Sequence, residues 1–116
     1  MLVLTRFQVP DADSRGFEDA ARAVVALLAS RPGAQSVELV RNLDEPDLWA
    51  IVGRWRDVGS YRRALAGMES RMLVVPLLSR AIDEASAYLE AAEVGVNRPR
   101  GDAESTARVR GSSGDR

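Results

Sequence analysis

The sequence predicts an α+β fold. Segments with strand-like and helix-like periodicity follow one another in the order strand, helix, strand, strand, helix, strand, and only a short turn separates the two central strands. The strand segments alternate in polarity, whereas the helical segments repeat apolar residues every three or four positions. This order is typical of the split βαβ, ferredoxin-like arrangement, in which helices cover one face of a four-stranded antiparallel sheet.

The first strand is predicted at residues 2–9, where side chains alternate in character before a proline. One face of this strand carries Val3, Thr5, Phe7 and Val9. A helix follows, because apolar residues recur at helical spacing after a capping residue at Asp13 or Ser14. Its apolar positions are Phe17, Ala20, Ala21, Val24, Leu27 and Leu28. Pro32 and Gly33 end this helix.

Two strands joined by an acidic turn at residues 44–47 form the predicted hairpin, with residues 48–56 as its second strand. One face of the first of these strands carries Val37, Leu39 and Arg41. One face of the second carries Trp49, Ile51, Gly53 and Trp55, and the other carries Leu48, Ala50, Val52, Arg54 and Arg56. Gly53 leaves a gap between two indoles where a flat ligand or another backbone can approach. The alternative is that both indoles fill a core or a subunit interface.

The remaining segments are shorter. Asp57 or Ser60 caps a short helix that Gly67 closes. A third helical segment follows, which Pro76 must kink or restart. Its expected core positions are Met68, Met72, Val75, Leu78 and Ile82. Residues 87–92 are predicted as the last strand.

The composition excludes several kinds of chemistry. The 116-residue chain has no cysteine, histidine or lysine, so its sixteen basic side chains are all arginines. Disulfides, Cys/His metal sites, cysteine nucleophiles, Schiff bases and serine-histidine triads are therefore impossible. The acidic residues 44–47 lack the spacing and the glycine of a calcium loop. We accordingly expect no metal.

Charge and hydropathy bear on whether the protein binds nucleic acid or a membrane and on its location in the cell. The formal net charge is −1 with both signs dispersed, which gives no footprint for nucleic acid or an anionic membrane. No apolar run is long enough to span a bilayer, and the N-terminus has the pattern of a strand instead of a signal peptide. We expect a cytoplasmic protein with one domain at residues 1–94 and a disordered, polar tail at residues 95–116.

Apolar residues occur on both faces of the predicted sheet. Helices cover only one face, so the other would be an exposed apolar patch. Pairing two sheets face to face removes that patch, and the expected partner is therefore a second copy of the chain in a two-fold homodimer.

Three stretches resemble the antibiotic-biosynthesis-monooxygenase family. They are Val-Leu-Thr-Arg-Phe-Gln-Val at the start, Leu-Trp-Ala-Ile-Val-Gly-Arg-Trp before a short helix, and Val-Val-Pro-Leu-Leu-Ser-Arg-Ala-Ile-Asp-Glu before the last strand. The likeness covers about residues 1–92. It implies a dimeric α+β barrel, and some members oxygenate polycyclic aromatic quinols with molecular oxygen and without metal, flavin or haem.

The resemblance also implies particular site residues. In the polyketide-oxidising branch a strand tryptophan precedes a tyrosine by six residues, and Trp55 and Tyr61 have this spacing. These two are the candidate catalytic residues, with Trp55 as a flat wall and Tyr61 as a partner for a ring oxygen. Ile51 stands where that branch has an asparagine. Thr5 and Leu65 stand where the haem-degrading branch has an asparagine and a histidine, so haem degradation is not expected. The residues expected to contact substrate are Trp49, Ile51, Phe7, Thr5 and Met72.

Three functions remain open. The first is a cofactor-independent monooxygenase of a small reduced polycyclic aromatic molecule, with Arg6, Arg41 or Arg54 stabilising its phenolate. Without histidine, the proton would go to a carboxylate, a tyrosine or solvent. The second is a non-catalytic dimer that binds a small ligand or a partner protein, and the third is a polyketide cyclase or isomerase. The first predicts a hollow of roughly a few hundred Å³, walled by Trp55 and Tyr61, between sheet and helices.

Overall fold

A computed structural model of the chain describes residues 1–97. The elements, in chain order, are β1 (Leu2–Gln8), a 3-10 turn (Asp11–Asp13), α1 (Ser14–Ala29), β2 (Ala34–Arg41), β3 (Leu48–Trp55), α2 (Val58–Ala64), a π-helical turn (Ser70–Val74), α3 (Val75–Leu78), β4 (Ala87–Tyr88) and α4 (Ala91–Asn97).

The strands form one sheet in the order β2-β3-β1-β4. Every pairing is antiparallel, and β3 lies between β1 and β2 with Thr5 opposite Ile51 and Leu39 opposite Ile51. This is the predicted split βαβ topology, because the hairpin partner of β2 inserts between β2 and β1. The α+β, ferredoxin-like prediction is thus confirmed.

One face of the sheet, here called the inner face, packs on the helices. α1 buries an apolar stripe against it, consisting of Phe17, Ala21, Val24 and Leu28. The sheet contributes the residues that the alternation placed together, namely Val3, Phe7, Trp49, Ile51 and Trp55. Strand and helix periodicity therefore identified most of the core correctly.

The opposite, outer face is also apolar. Cross-strand pairs there join Leu4 to Val52 and Val40 to Ala50. Leu2 and Leu48 extend the same surface, and Val40 is 41% exposed. α1 packs on the inner face, whereas on the outer face Val40 is exposed and Leu4, Leu48 and Val52 are only partly buried in a single chain.

The third helical segment differs from its prediction. Met68, Met72 and Val75 point to solvent, whereas Val74 and Leu77 are buried. The segment is apolar on two faces, so helical spacing alone did not show which face turns inward. The segment is a π-helical turn followed by the single turn of α3, with Pro76 in its first turn as expected.

The last strand is also shorter than predicted. β4 contains only Ala87 and Tyr88, and the predicted strand residues 91–92 begin α4 instead. The Glu90 carboxylate accepts a hydrogen bond from the Ala92 N–H at 2.9 Å, which caps the start of this helix. The expected domain boundary after residue 94 falls inside α4, and residues 98–116 of the expected tail lie outside the described part of the chain.

Candidate functional site

The candidate catalytic pair meets where β3 ends and α2 begins. The ring centroids of Trp55 and Tyr61 are 5.6 Å apart. Trp55 is 1% exposed as the last residue of β3, and Tyr61 is half-buried in α2. The Asp57 carboxylate accepts a hydrogen bond from the Ser60 N–H at 2.8 Å and so caps α2. This cap fixes where the helix that carries Tyr61 begins.

The hollow expected behind this pair is almost filled. The enclosed space between sheet and helices, here called the inner pocket, measures about 20 Å³, room for one water molecule. Its lining is Val3, Thr5, Leu28, Val37, Ile51, Gly53, Trp55, Tyr61, Leu65 and Leu78. A Cβ at Gly53 would lie 2.9 Å from Trp55 Nε1. The gap at Gly53 is therefore occupied by the Trp55 indole, and a polycyclic ring does not fit there.

A larger space lies on the other side of Tyr61. This groove has a volume of about 370 Å³, within the usual range of small-molecule sites. Its lining is Leu4, Thr5, Arg6, Tyr61, Leu78, Ser79, Ala81, Ile82, Asp83, Glu84 and Ser86. Thr5, Tyr61 and Leu78 line both spaces and so form the wall between them.

The outer wall of the groove is residues 82–86, here called the arch. The Ile82 N–H donates to the Arg6 carbonyl at 2.9 Å, and the Leu4 N–H donates to the Ser86 carbonyl at 2.7 Å. Five residues of the arch thus span three residues of β1, so the middle of the arch stands away from the sheet edge. The groove is the space that this detour leaves beside β1.

An ion pair fastens the arch to β1. Arg6 Nε and Nη2 donate to the two carboxylate oxygens of Glu84, each at 2.7 Å. These hydrogen bonds lower the pKa of Glu84 and raise the pKa of Arg6. The groove is therefore lined by a bidentate pair of opposite charges as well as by Tyr61.

Tyr61 stays protonated in this setting. Burial raises the pKa of its phenol above the usual value of 10.0, because the phenolate would lose hydration. The hydroxyl can therefore donate a hydrogen bond to a ligand oxygen at neutral pH.

The other predicted site residues lie elsewhere. Phe7 and Trp49 pack on Phe17 with centroid distances of 5.0 and 5.5 Å, in a separate aromatic cluster of the core. Met72 is 71% exposed on the π-helical turn. None of these three lines the groove or the inner pocket, whereas Thr5, Ile51, Trp55 and Tyr61 do.

The three candidate arginines separate in the same way. Arg41 stacks on the Trp49 ring at 4.4 Å and donates from Nε to the Pro46 carbonyl. Arg54 is exposed on the outer face, opposite Leu2. Only Arg6 among these three lines the groove.

The sequence did not indicate the arch. The apolar spacing that includes Ile82 predicts a helix there, which gives no reason to place Asp83 and Glu84 near Tyr61. The helix ends instead at Leu78, and residues 82–86 run beside β1. The two adjacent acidic residues before a small-residue stretch were the available signal, because charged residues are typical of sheet edges.

Residues 1–97 contain neither a candidate metal site nor a membrane-spanning helix. Within this range no group of three or more acidic side chains is arranged to hold a metal ion. None of the helices described is long and apolar enough to cross a membrane.

The fold and site together define a split βαβ domain with a groove of about 370 Å³ beside a half-buried tyrosine. The family model for antibiotic biosynthesis monooxygenases matches residues 1–71, and the chain belongs to this family. Among curated proteins, no sequence matches.

Solved structures support the assignment. The chain is similar to SnoaB, a cofactor-independent oxygenase from Streptomyces nogalater, with 26% identity over 70% of this chain and 82% of that one at a TM-score of 0.60. A conserved protein from Methanosarcina mazei matches with 19% identity over 74% and 84% of the two chains, at a TM-score of 0.63. A structure from Nitrosomonas europaea, described as a monooxygenase of the same family, matches with 11% identity over 77% of this chain and 96% of that one, at a TM-score of 0.62. The last two show the fold alone.

Proposed function

We propose that the protein is a cofactor-independent monooxygenase that oxidises a reduced polycyclic aromatic substrate in the groove beside β1. The observation that carries the proposal is the position of Tyr61, which separates the 370 Å³ groove from the inner pocket and contacts Trp55. Membership of the family and the likeness to a cofactor-independent oxygenase support it.

The chemistry needs few protein groups. An electron-rich dihydroxy-aromatic, once ionised, passes an electron to oxygen without a metal or flavin. One oxygen atom then enters the ring system and the other leaves as water, with the substrate supplying the electrons. The protein has to bind the ring, stabilise its anion and exclude water.

In this proposal Tyr61 donates to a ring oxygen in the groove. Trp55 lies behind Tyr61 and is almost completely buried, so it acts as a positioning residue for the phenol and does not reach the substrate. Thr5 completes the wall on β1.

Oxygen uptake tests the proposal. Wild-type protein should consume oxygen with at least one member of an anthrone and quinol panel. Tyr61→Phe should lower kcat/KM by about a hundredfold, since positioned proton donors contribute roughly 10²–10⁴. Trp55→Phe should lower it less. Trp49→Phe changes the other indole on the same strand face, outside both spaces, and should leave uptake unchanged. Full activity of Tyr61→Phe would contradict the proposal.

A second candidate function is the binding of a small ligand in the groove without chemistry. The absence of histidine and the filled inner pocket favour it, because they leave the protein without the usual base and without a dry cavity for oxygenation. Saturable binding of the same panel, with no oxygen uptake by any member, would identify this function.

We also propose that the protein is a homodimer that pairs the outer faces of two sheets. The incompletely covered apolar side chains of Leu4, Val40 and Val52 on the outer face support this proposal, because apolar surface of this kind is unfavourable in water.

A further inference from the structure

We propose that Arg6 and Glu84 are a proton-exchange pair, in which Glu84 accepts the proton of a phenolic substrate and Arg6 takes the resulting phenolate. The proposal rests on the proposed function, and it supplies the base that a chain without histidine otherwise lacks.

The geometry of the pair supports this assignment. The two hydrogen bonds between Arg6 and Glu84 place a fork of donors and a carboxylate in the same groove as Tyr61. A phenol oxygen that approaches the guanidinium also approaches the carboxylate, since the two groups are 2.7 Å apart. Proton acceptor and anion partner are therefore offered to one substrate atom.

The exchange conserves charge within the groove. The substrate O–H bond breaks, its proton moves to a Glu84 oxygen, and the electron pair stays on the ring oxygen. Before the step the groove holds Arg6 as a cation and Glu84 as an anion, and afterwards it holds Arg6 as a cation and the phenolate as an anion. No net charge is created, which avoids the desolvation cost of a new unpaired ion.

The pair is also able to separate. The Arg6 and Glu84 side chains are 39% and 31% exposed, and ion pairs at such positions contribute little to stability. An entering aromatic ring displaces water from the groove, which strengthens the attraction between Arg6 and a phenolate. The same loss of water raises the pKa of Glu84 once Arg6 has turned to the phenolate, so Glu84 then retains the proton.

The titratable groups around the pair are few. Tyr61 of α2 and Asp83 of the arch line the same groove. The charges of Tyr88 on β4 and Glu45 in the hairpin turn also act on Arg6 and raise its pKa. Hydrogen bonding by Arg6 lowers the pKa of Glu84, so Glu84 is ionised at neutral pH, and it becomes the stronger base that the step needs when Arg6 turns from it to the phenolate.

The test measures anion stabilisation separately from turnover. The ionisation of 2-naphthol bound to the protein is followed by absorbance. Wild-type protein should lower the pKa of bound 2-naphthol by one unit or more, and Arg6→Gln should abolish this shift. Glu84→Gln should keep the shift, because Arg6 remains, yet lower kcat/KM for oxygen uptake by about a hundredfold.

The pH profile distinguishes a base from a structural partner. Arg6→Gln should move the acid limb of kcat/KM to higher pH, because the Glu84 pKa is no longer held down. Arg22 and Glu18 form a similar ion pair on α1, also at 2.7 Å. Arg22→Gln and Glu18→Gln break that pair and should change neither the pKa of bound 2-naphthol nor the pH profile of kcat/KM. An unshifted 2-naphthol pKa in the wild type, or full uptake by Glu84→Gln, would overturn the proposal. If wild-type protein consumes no oxygen with any substrate but still lowers the pKa of bound 2-naphthol, only the proposed oxygenase function is overturned.

Discussion

Gly33 and Gly67 have similar backbones in different surroundings. Their φ angles are +89° and +96°, a region that L residues rarely adopt. A Cβ at Gly33 would lie 2.3 Å from the Ser60 hydroxyl oxygen, whereas nothing lies within 4 Å of a Cβ at Gly67. Ser60 is 1% exposed in the first turn of α2, so it has little room to move.

Alanine substitutions should therefore have unequal costs. Gly67→Ala should lower the free energy of unfolding by about 1 kcal/mol, the usual cost of the left-handed backbone. Gly33→Ala should lower it by about 3 kcal/mol or more, because overpacking adds to that cost. Urea denaturation of the two variants measures the difference. Equal losses would show that Ser60 relaxes away from the new methyl group.

Trp55 and Tyr61 illustrate how far single residues can be predicted. Their six-residue spacing placed the tryptophan at the end of a strand and the tyrosine in the following helix, and the two rings do meet. The size of the space behind them was not predictable. It depends on the rotamer of Trp55, which covers Gly53, and rotamers follow from packing in three dimensions.

α2 depends on its cap. The Asp57 carboxylate accepts from the Ser60 N–H and also pairs with Arg56 Nε at 3.3 Å. The Ser60 hydrogen bonds are the main cause that lowers the pKa of Asp57 from 3.8 to about 2. A depressed pKa means that the stabilising effect is complete above the unfolded value near 3.8 and is lost as the pH falls through about 2.

Acid should therefore lower the free energy of unfolding more in the wild type than in Asp57→Asn, because asparagine keeps a capping oxygen but does not titrate. Between pH 5 and pH 2, the free energy of unfolding should fall more steeply in the wild type, and the two proteins should converge near the acid end. Asp19→Asn, a change of carboxylate in the exposed part of α1, controls for general charge effects. Parallel curves for wild type and Asp57→Asn would contradict the assigned cap.

Among the elements, predictability follows the strength of the local pattern. α1 has one apolar face, so its periodicity predicts both its type and its orientation. β1 and β3 are apolar on both faces, so their alternation predicts a strand and the residues that share a face, but not which face meets the helices. The segment from Met68 to Ile82 is apolar on two faces, and its orientation is decided by contacts with α1 and the sheet. The arch has no periodicity, because its position depends on two backbone hydrogen bonds to β1. The sequence pattern therefore does not predict the part of the candidate site that the arch contributes, which is visible only in the folded structure.

At the scale of the whole molecule, the sheet has two apolar faces and one layer of described helices. The inner face carries the core, and the outer face has Leu4 opposite Val52 and Val40 opposite Ala50. Leu4 and Arg6 also line the groove. The groove thus lies at the margin of the surface on which we propose that a second copy packs.

Val52→Asp tests this assembly. Val52 lies in the centre of the outer face, opposite Leu4 and Glu38. In a dimer that pairs outer faces, the new carboxylate would be buried without a partner in both copies, so the Kd should rise by at least about a hundredfold. Wild-type protein should sediment as a dimer at micromolar concentration, and Val52→Asp as a monomer. Val75→Asp places the same charge on α3, where Val75 is 48% exposed, and should remain dimeric. A wild-type monomer, or a Val52→Asp variant that stays dimeric with unchanged circular dichroism, would exclude packing through this face.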